Sequence, residues 1–448
     1  DRFVAAYANA DYSFDRKYSI SATIRVDGSN ALGKSANKRW LPTWNFGAKW
    51  NIQNESFMEN ASDWVDVLSL RLSYGLTASM PQLASAGVVF RNQQSFNPGH
   101  SENQIYIEAL ETSALPGEKS YQFNAGLDVT LFNNRMNFSF DYFNRKGFDL
   151  IATVKTSGIG GEFWKYANYA DLDSHGYDIT LGGTFIRSKD WTWSANFTLG
   201  YTWNRIKNAK NLTQTNELIR NEGGNKEGYP VNSLFSIPYA GLEPGTGIPL
   251  YINEKGEITK EIDKQGTDTD YLIYEGQVDP KWTGGFNTTV RYKNLSLNAF
   301  FTYQAGNVIR LDPIFSQSYS DLAALTKELK NRYVMSGDSD VPAILDYVHN
   351  SISITDAGTY ASYNYTGKRV AKGDFIRLKS ISLNYDFSSD WISKSRFFKT
   401  ASVRFTVKDP WLIYSDKALN GRDPEFYNTG GVAMPTTTQF TLSLNLGF

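Results

Sequence analysis

Polar and apolar residues alternate along this chain with a period of two, the signature of a strand with one covered face. The last nine residues alternate without a fault: Phe440, Leu442, Leu444, Leu446 and Phe448 on one side, Thr441, Ser443, Asn445 and Gly447 on the other. In KYSISATIRVDG, Tyr18, Ile20, Ala22, Ile24 and Val26 oppose Ser19, Ser21, Thr23, Arg25 and Asp27, and WTWSANFTLGYTWNRI repeats the pattern from Trp191 to Trp203. Further segments run over 4 to 12, 43 to 52, 67 to 78, 121 to 132, 135 to 144, 175 to 186, 282 to 292, 295 to 306, 375 to 387 and 400 to 408, thirteen strands in all. Many are nine residues or longer, the length a tilted strand needs to cross a bilayer.

The links between strands alternate too. Short ones, SFDRK (13 to 17), NN (133 to 134), RSKD (187 to 190) and KN (293 to 294), take turns with long ones at 28 to 42, 79 to 120, 145 to 174, 207 to 281, 307 to 374 and 409 to 435. Intermediate links at 53 to 66 and 388 to 399 fall where short ones are due. A soluble sandwich has no reason to gather its long links at one end, whereas an outer-membrane barrel pairs short periplasmic turns with long extracellular loops. The expected fold is therefore an all-β, antiparallel transmembrane barrel. On this orientation the first strand runs toward the periplasm, so at least one upward strand is expected before Asp1, and Phe448 is expected at the periplasmic rim. The chain is then the C-terminal portion of one barrel domain.

The two faces agree with a barrel. Aromatics gather near strand ends on the apolar face, as with Trp44, Trp50, Trp191, Trp193, Tyr201 and Trp203, which suits interfacial girdles. The other face carries Ser, Thr, Asn and Gly with Arg71, Asp128, Asp141, Asp178, Arg291 and Arg404, which a dry core would reject and a wet lumen accepts.

Composition removes other classes. Of 448 residues 41% are hydrophobic and 15% aromatic, which excludes disorder. With no Cys there is neither a disulfide framework nor a thiolate metal site. The 45 basic residues against 46 acidic ones leave no nucleic-acid footprint. A mean hydropathy of -0.42 and the lack of long apolar runs exclude helical spans, though not membrane strands.

Nothing points to an enzyme, a cofactor or a metal. His100, His175 and His349 lack ligand spacing, and the glycine-rich pieces GIGGE (158 to 162) and GLEPGTG (241 to 247) lack the strand-to-helix context of a phosphate loop. The long loops are the place for recognition. In GTYASYNYTG, Tyr360, Tyr363 and Tyr365 look exposed and suited to stacking on sugars or burying in a partner interface, with packing of the loop itself as the alternative. GEFWKYANYADLD adds Trp164 as a contact candidate before leading into a strand. SDLAALTKELKNRY (320 to 333) reads as an amphipathic helix capped by Ser320, with Leu322, Leu325, Leu329 and Tyr333 on one face.

Specific words resemble a family. IRVDGSNALGKSANKRWLPTWNFGAKWNIQNESFM (24 to 58) resembles the R-x-D-G-S, R-W and E-x-F-M signature of SusC/RagA-type TonB-dependent outer-membrane transporters of Bacteroidetes. LSLRLSYGLTAS, GLDVTLFNNRMNFSFDYFNRKGFDLI, VDPKWTGGFNTTVRYKNLSLNAFFTYQAGNVI, GDFIRLKSISLNYDF and GRDPEF follow in the family's order. Ser174, Asp178, Asp409 and Pro410 depart from its usual residues, leaving the subfamily open.

The resemblance implies a 22-stranded plugged barrel, of which this chain supplies thirteen or fourteen strands and lacks the plug. It implies TonB-dependent active import of an oligosaccharide or peptide. The implied partners are a SusD-like lipoprotein lid, the TonB complex reached through the missing N-terminal region, outer-membrane lipid and the barrel-assembly machinery. That machinery would read the terminal strand from Phe440 through Leu442, Leu444 and Leu446 to Phe448. A dimer of transporter and lipoprotein pairs is also within its scope. A passive porin and a secreted glycan-binding adhesin are the alternatives.

Overall fold

A computed structural model describes residues 3–29, 40–79, 89–97, 100–109, 117–155, 164–210, 212–315, 327–335, 337, 341–342, 354–387, 398–426 and 437–447. They form two compact units, Asp1–Phe185 with Ser194–Asn211 and Ile186–Trp193 with Leu212–Phe448. Eight principal strands fall largely in the first unit: β1 (Phe3–Phe14), β2 (Tyr18–Ser29), β3 (Trp40–Asn51), β4 (Val65–Ser79), β5 (Glu118–Leu131), β6 (Met136–Lys155), β7 (Trp164–Arg187) and β8 (Trp191–Lys207). Five lie in the second: β9 (Trp282–Tyr292), β10 (Leu295–Ala305), β11 (Phe375–Asp386), β12 (Thr400–Ser415) and β13 (Gln439–Gly447). Within each unit consecutive principal strands are neighbours, an antiparallel meander. All thirteen segments expected from the alternation are strands.

The short links are tight because their residues accept the left-handed region. Asp15 (φ 49°) and Arg16 (φ 53°) turn β1 into β2, and Phe132, Asn133 and Asn134 (φ 55° to 60°) turn β5 into β6. Strict register then keeps each side chain on its face. Phe405 stands opposite Leu442 and Val407 opposite Phe440, while Arg404 stands opposite Ser443. The apolar face is uncovered by protein: Phe440 is 70% and Leu442 73% exposed. Each such side chain left in water forgoes about 2 kcal/mol, so this face needs an apolar solvent.

The structure extends three strands past their expected ends. β6 continues to Lys155 and β7 starts at Trp164, inside the expected loop 145 to 174. The register shifts between Gly147 and Leu150, and Asp149 sits at φ 58°, so a bulge breaks the alternation there while pairing continues. β12 likewise runs through Asp409 (φ 47°) to Ser415, shortening the expected loop 409 to 435. The expected loop 79 to 120 contains a hairpin, Val89–Asn97 with His100–Ala109.

The long links of the second unit fold. Ser233–Ser236 pairs with Ile273–Gln277, Tyr239–Leu242 with Pro249–Ile252, and Val308–Arg310 with Val370–Lys372, and α1 spans Ile354–Tyr363. Leu218, Ile219, Phe235, Ile237, Tyr251 and Leu272 form their dry core. The expected helix over 320 to 333 is corrected in part. Lys327–Asn331 is a 3-10 turn, after which Arg332 bridges to Val341, so the chain turns away before a second α turn can close. Ser320, Leu322 and Leu325 lie outside the described residues.

Candidate functional site

The polar face of the first unit holds an open trough of about 420 Å³. Register builds it from two rows across the strands. One row runs Asp11, Ser21, Gly47, Ser73 and Asn124; the other runs Ser13, Ser19, Lys49, Arg71, Gly126 and Asp141. Every second residue of each strand contributes, which is why Ser and Gly recur there. Asn124 Nδ2 donates to Ser73 Oγ at 3.1 Å.

Arg71 organises the trough. Its Nε donates to Asp128 at 2.7 Å, and its Nη2 to Asp128 at 3.0 Å and to Asp141 at 2.9 Å. Ser139 Oγ donates to Asp128 at 3.0 Å. To reach Asp141, two strands away, the guanidinium must cross position 126. A Cβ there would stand 2.5 Å from Asp141 Oδ1 and 2.7 Å from Arg71 Nη2, so only glycine leaves the passage open. Lys49 stands directly opposite Arg71 in the register. The two carboxylates neutralise Arg71, whereas Lys49 and Asp11 have no ion-pair partner among the described residues and face the trough free. Asp178 stands opposite Asp141, adding a further carboxylate beside the trough.

Several of the recurrent words have a physical basis. Gly28 lies opposite Trp40, whose ring would meet a Cβ at 2.7 Å, which couples the D-G-S word to the R-W word. Glu55 of the E-x-F-M word accepts from Tyr18 Oη at 2.5 Å and Trp50 Nε1 at 3.0 Å, tying the short link to two interfacial aromatics. The Tyr18 hydrogen bond, then that from Trp50, holds the Glu55 carboxyl below its usual range. In the second unit, Arg377 of GDFIRLK ion-pairs with Asp423 and, at 3.0 Å, with Glu425 of GRDPEF. Lys379 joins them, 3.0 Å from Glu425 and 3.3 Å from Asp409. These charges pin the 421–426 segment to the end of β11.

The loop core of the second unit is organised by Arg310, which is 1% exposed. It donates to Phe235 O at 2.6 Å, Thr366 O at 3.0 Å and Ser236 Oγ at 3.3 Å. Burial pushes the guanidinium down to about 10.

The tyrosines expected to be exposed are corrected. Tyr360 and Tyr363 are 5% and 3% exposed, because α1 turns them inward against Phe315 and Tyr239. Buried there, they pack the loop and are closed to a ligand. Tyr365 is half-buried, its ring 5.5 Å from the Lys264 ammonium and 5.9 Å from the Arg310 guanidinium. Trp164 opens β7 opposite Lys155, its side chain outside the described residues. Phe440, Leu442, Leu444 and Leu446 line the apolar face of β13, and Phe448 lies outside the described residues. Sequence reasoning placed Arg71, Asp128 and Asp141 on one face without joining them; counting register outward from the tight turns would have done so. Arg310 carried no such signal, since the short strands around it have no repeat.

Among the described residues no group of His, Asp or Glu is placed to hold a metal. No helix is long and apolar enough to cross a membrane, which leaves crossing by strands open.

The model of the TonB dependent receptor-like β-barrel matches residues 1–408. TonB-dependent receptor P3 of Formosa agariphila is 26% identical over 99% of this chain and 45% of the relative, and TonB-dependent receptor SusC of Bacteroides thetaiotaomicron 24% over 99% and 44%. The solved RagAB peptide importer in its 'closed-closed' state superposes with a TM-score of 0.80 at 25% identity, over 100% of this chain and 48% of that one. The chain thus spans about half the length of the relatives it matches. The uncovered apolar face is accordingly the lipid-facing side of an outer-membrane barrel, and the polar face its lumenal side. Thirteen alternating strands, a charged lumenal wall and the matched words lead to one conclusion: the chain belongs to the TonB-dependent receptor β-barrel family, and its SusC/RagA resemblance is borne out.

Proposed function

We propose that the protein bearing this chain imports a nutrient oligomer, an oligosaccharide or a peptide, across the outer membrane, driven through the TonB complex. A SusD-like lipoprotein closes the extracellular side. The observation that carries the reading is the difference between the two ends of the strands. One end closes in tight turns, while the other bears links folded around their own dry core, a rigid platform of the kind a lid partner needs. The lumenal trough supports it with fixed hydrogen-bonding groups and two free charges, Lys49 and Asp11. The family supplies the energy source, and the name of one solved neighbour, a peptide importer, suggests one class of cargo.

Tyr365 and Trp164 are the remaining contact candidates in the long links. The terminal strand through Phe448 serves as the assembly signal, and assembly as a dimer of transporter and lipoprotein pairs belongs to the same reading.

Uptake of labelled oligosaccharides and peptides by cells expressing the protein, with and without a working TonB system, tests this. Import of one class that stops when TonB is removed, together with co-purification of a lipoprotein, is expected. Import that continues without TonB would install the passive porin instead.

A further inference from the structure

On the lipid-facing sides of β5 to β8, no Lys, Arg, Asp or Glu lies between Arg187 at the short-link end of β7 and the long-link ends. There the charges arrive together. Lys119 stands opposite Phe148, and Lys146 stands between Tyr121 and Asp173. The ring pairs Tyr177 with Tyr201 and His175 with Trp203 advance two residues at a time along β7 and β8, so the next step brings Asp173 to Arg205. Lys207 lies one step further and ion-pairs with Asp173.

Four cations thus face two carboxylates, Asp173 and Asp171, and the latter accepts from Asn208. Lys146 and Arg205 are exposed and have no ion-pair partner among the described residues. Lys119 lies 5.8 Å from the centre of the Phe148 ring, its stem along apolar surface. Tyr121 stacks on Phe148 at 5.4 Å at the level of these cations, and Tyr177 on Tyr201 at 5.2 Å lies below them, four residues from Asp173 along β7. Among the described residues the second unit shows no counterpart: the matching positions at its long-link strand ends are Trp282, Ala305, Ile376, Tyr414 and Phe440.

The geometry points to a binding patch for the phosphate groups of outer-leaflet glycolipid, formed by Lys119, Lys146, Arg205 and Lys207. Its position selects the partner. The patch continues the lipid-facing belt without a break, and its aromatic rings occupy the depth at which acyl chains give way to headgroups. Cations at the upper edge of that depth meet the first anions of the leaflet. Asp173 keeps Lys207 in place and leaves Lys146 and Arg205 to the ligand. A lipid held there would anchor one arc of the barrel wall beside the long links. The inference rests on the outward orientation of those links proposed above.

The test uses the protein purified from outer membranes in mild detergent, with co-purifying phosphorylated glycolipid measured per protein by mass spectrometry. A cation beside a phosphate surface contributes about fivefold to binding. Replacing all four by Gln is therefore expected to lower retained glycolipid at least tenfold, and Lys146→Arg to keep it. Rebinding of glycolipid stripped of its phosphates is expected to match the variant. Equal retention by wild type and the Gln variant, or equal rebinding of stripped lipid, overturns the proposal, as does loss of a protein partner with lipid unchanged. Should the fourfold variant lose its heat-modifiable gel mobility, Lys146→Gln with Arg205→Gln, both exposed and unpaired, gives the same readout. Orientation is checked separately. These 448 residues contain no Cys, and Lys255→Cys in the exposed 253–256 turn supplies a thiol for an impermeant label on intact cells, read against the unsubstituted protein. Labelling with unchanged lipid retention sinks the patch alone; absence of labelling sinks the orientation.

Discussion

Arg71 and Arg310 hold the same charge in opposite ways. Arg71 lies in the open lumenal trough, its side chain 41% exposed, and is met by two full carboxylates. Arg310 is buried and is met by carbonyls and a hydroxyl. Water screens the first arrangement, so the ion pairs fix geometry more than they stabilise. Nothing screens the second, so each hydrogen bond matters and the charge itself is costly. Burial pushes the guanidinium down to about 10, so keeping it charged carries a cost at neutral pH. The sign follows from the depression: this cost is full at neutral pH and fades as pH rises through about 10 toward the ordinary arginine range. The wall orients a wet surface, whereas the loop core is a small folded body locked by one cation.

The largest effect is expected where the charge is dry. Arg310→Ala strips partners from Phe235 O and Thr366 O and opens a void between the paired segments. At roughly 1.5–3 kcal/mol for a hydrogen bond to a charged group, the loss is about 4 kcal/mol, enough to melt the loop core. Limited proteolysis should then cut within 212 to 281 and 354 to 372 while the strands keep their heat-modifiable mobility. Unchanged protease resistance would place the lock elsewhere. Deleting 352 to 366 should have the same consequence, since it removes α1 with Tyr360 and Tyr363. That differs from the expectation read from the sequence, in which those tyrosines weaken a partner and leave the fold untouched.

The wall should respond less. Gly126→Val places methyl groups where Arg71 passes to Asp141, so the bridge must swing out, at about 1–3 kcal/mol for a crowded site. Arg71→Gln keeps the space and removes the charge, leaving Asp128 and Asp141 facing each other in a wet trough, at about 1 kcal/mol. The temperature at which the folded band disappears on a gel ranks them. If Arg71→Gln proved the more damaging, the trough would be drier than its exposure implies, and the contrast with Arg310 would narrow.

The same contrast explains how much the sequence discloses. Period-two alternation in a two-solvent environment names all thirteen principal strands, because each side chain answers to lipid or to water and a slip would reverse both. It also places Arg71, Asp128 and Asp141 on one face, though the passage over Gly126 needs the cross-strand register. Where the chain leaves both solvents for its own core, alternation stops being informative. Tyr360, Tyr363 and Arg310 sit in short segments whose burial depends on residues up to 108 positions away, as with Tyr251 and Thr359. The bulge at Gly147 to Leu150 hides β6 and β7 for another reason: pairing persists while the phase of the pattern changes.

Glu55 tests the middle of this range. It lies at the short-link end, where strand meets turn, and holds its charge through two aromatic donors, with Lys17 at 3.6 Å as the nearest cation. Tyr18, the larger influence, and Trp50 both favour the ionised form and lower its titration below the ordinary 4.5. A depressed carboxylate contributes its stabilisation above the unfolded value and loses it as pH falls through the folded one. The clamp between Tyr18, Trp50 and the 3-10 turn Ile52–Asn54 is therefore intact at neutral pH and opens only at pH below about 4.5. Hydrogen exchange at the Glu55 amide, which donates to Ile52 O at 3.0 Å, reads the opening directly. Wild type should show an exchange rate, corrected for intrinsic chemistry, that climbs over this acid window, and Glu55→Gln one that is already raised and flat with pH. A wild-type profile as flat as the variant's would mean that the aromatic donors hold the turn without the charge.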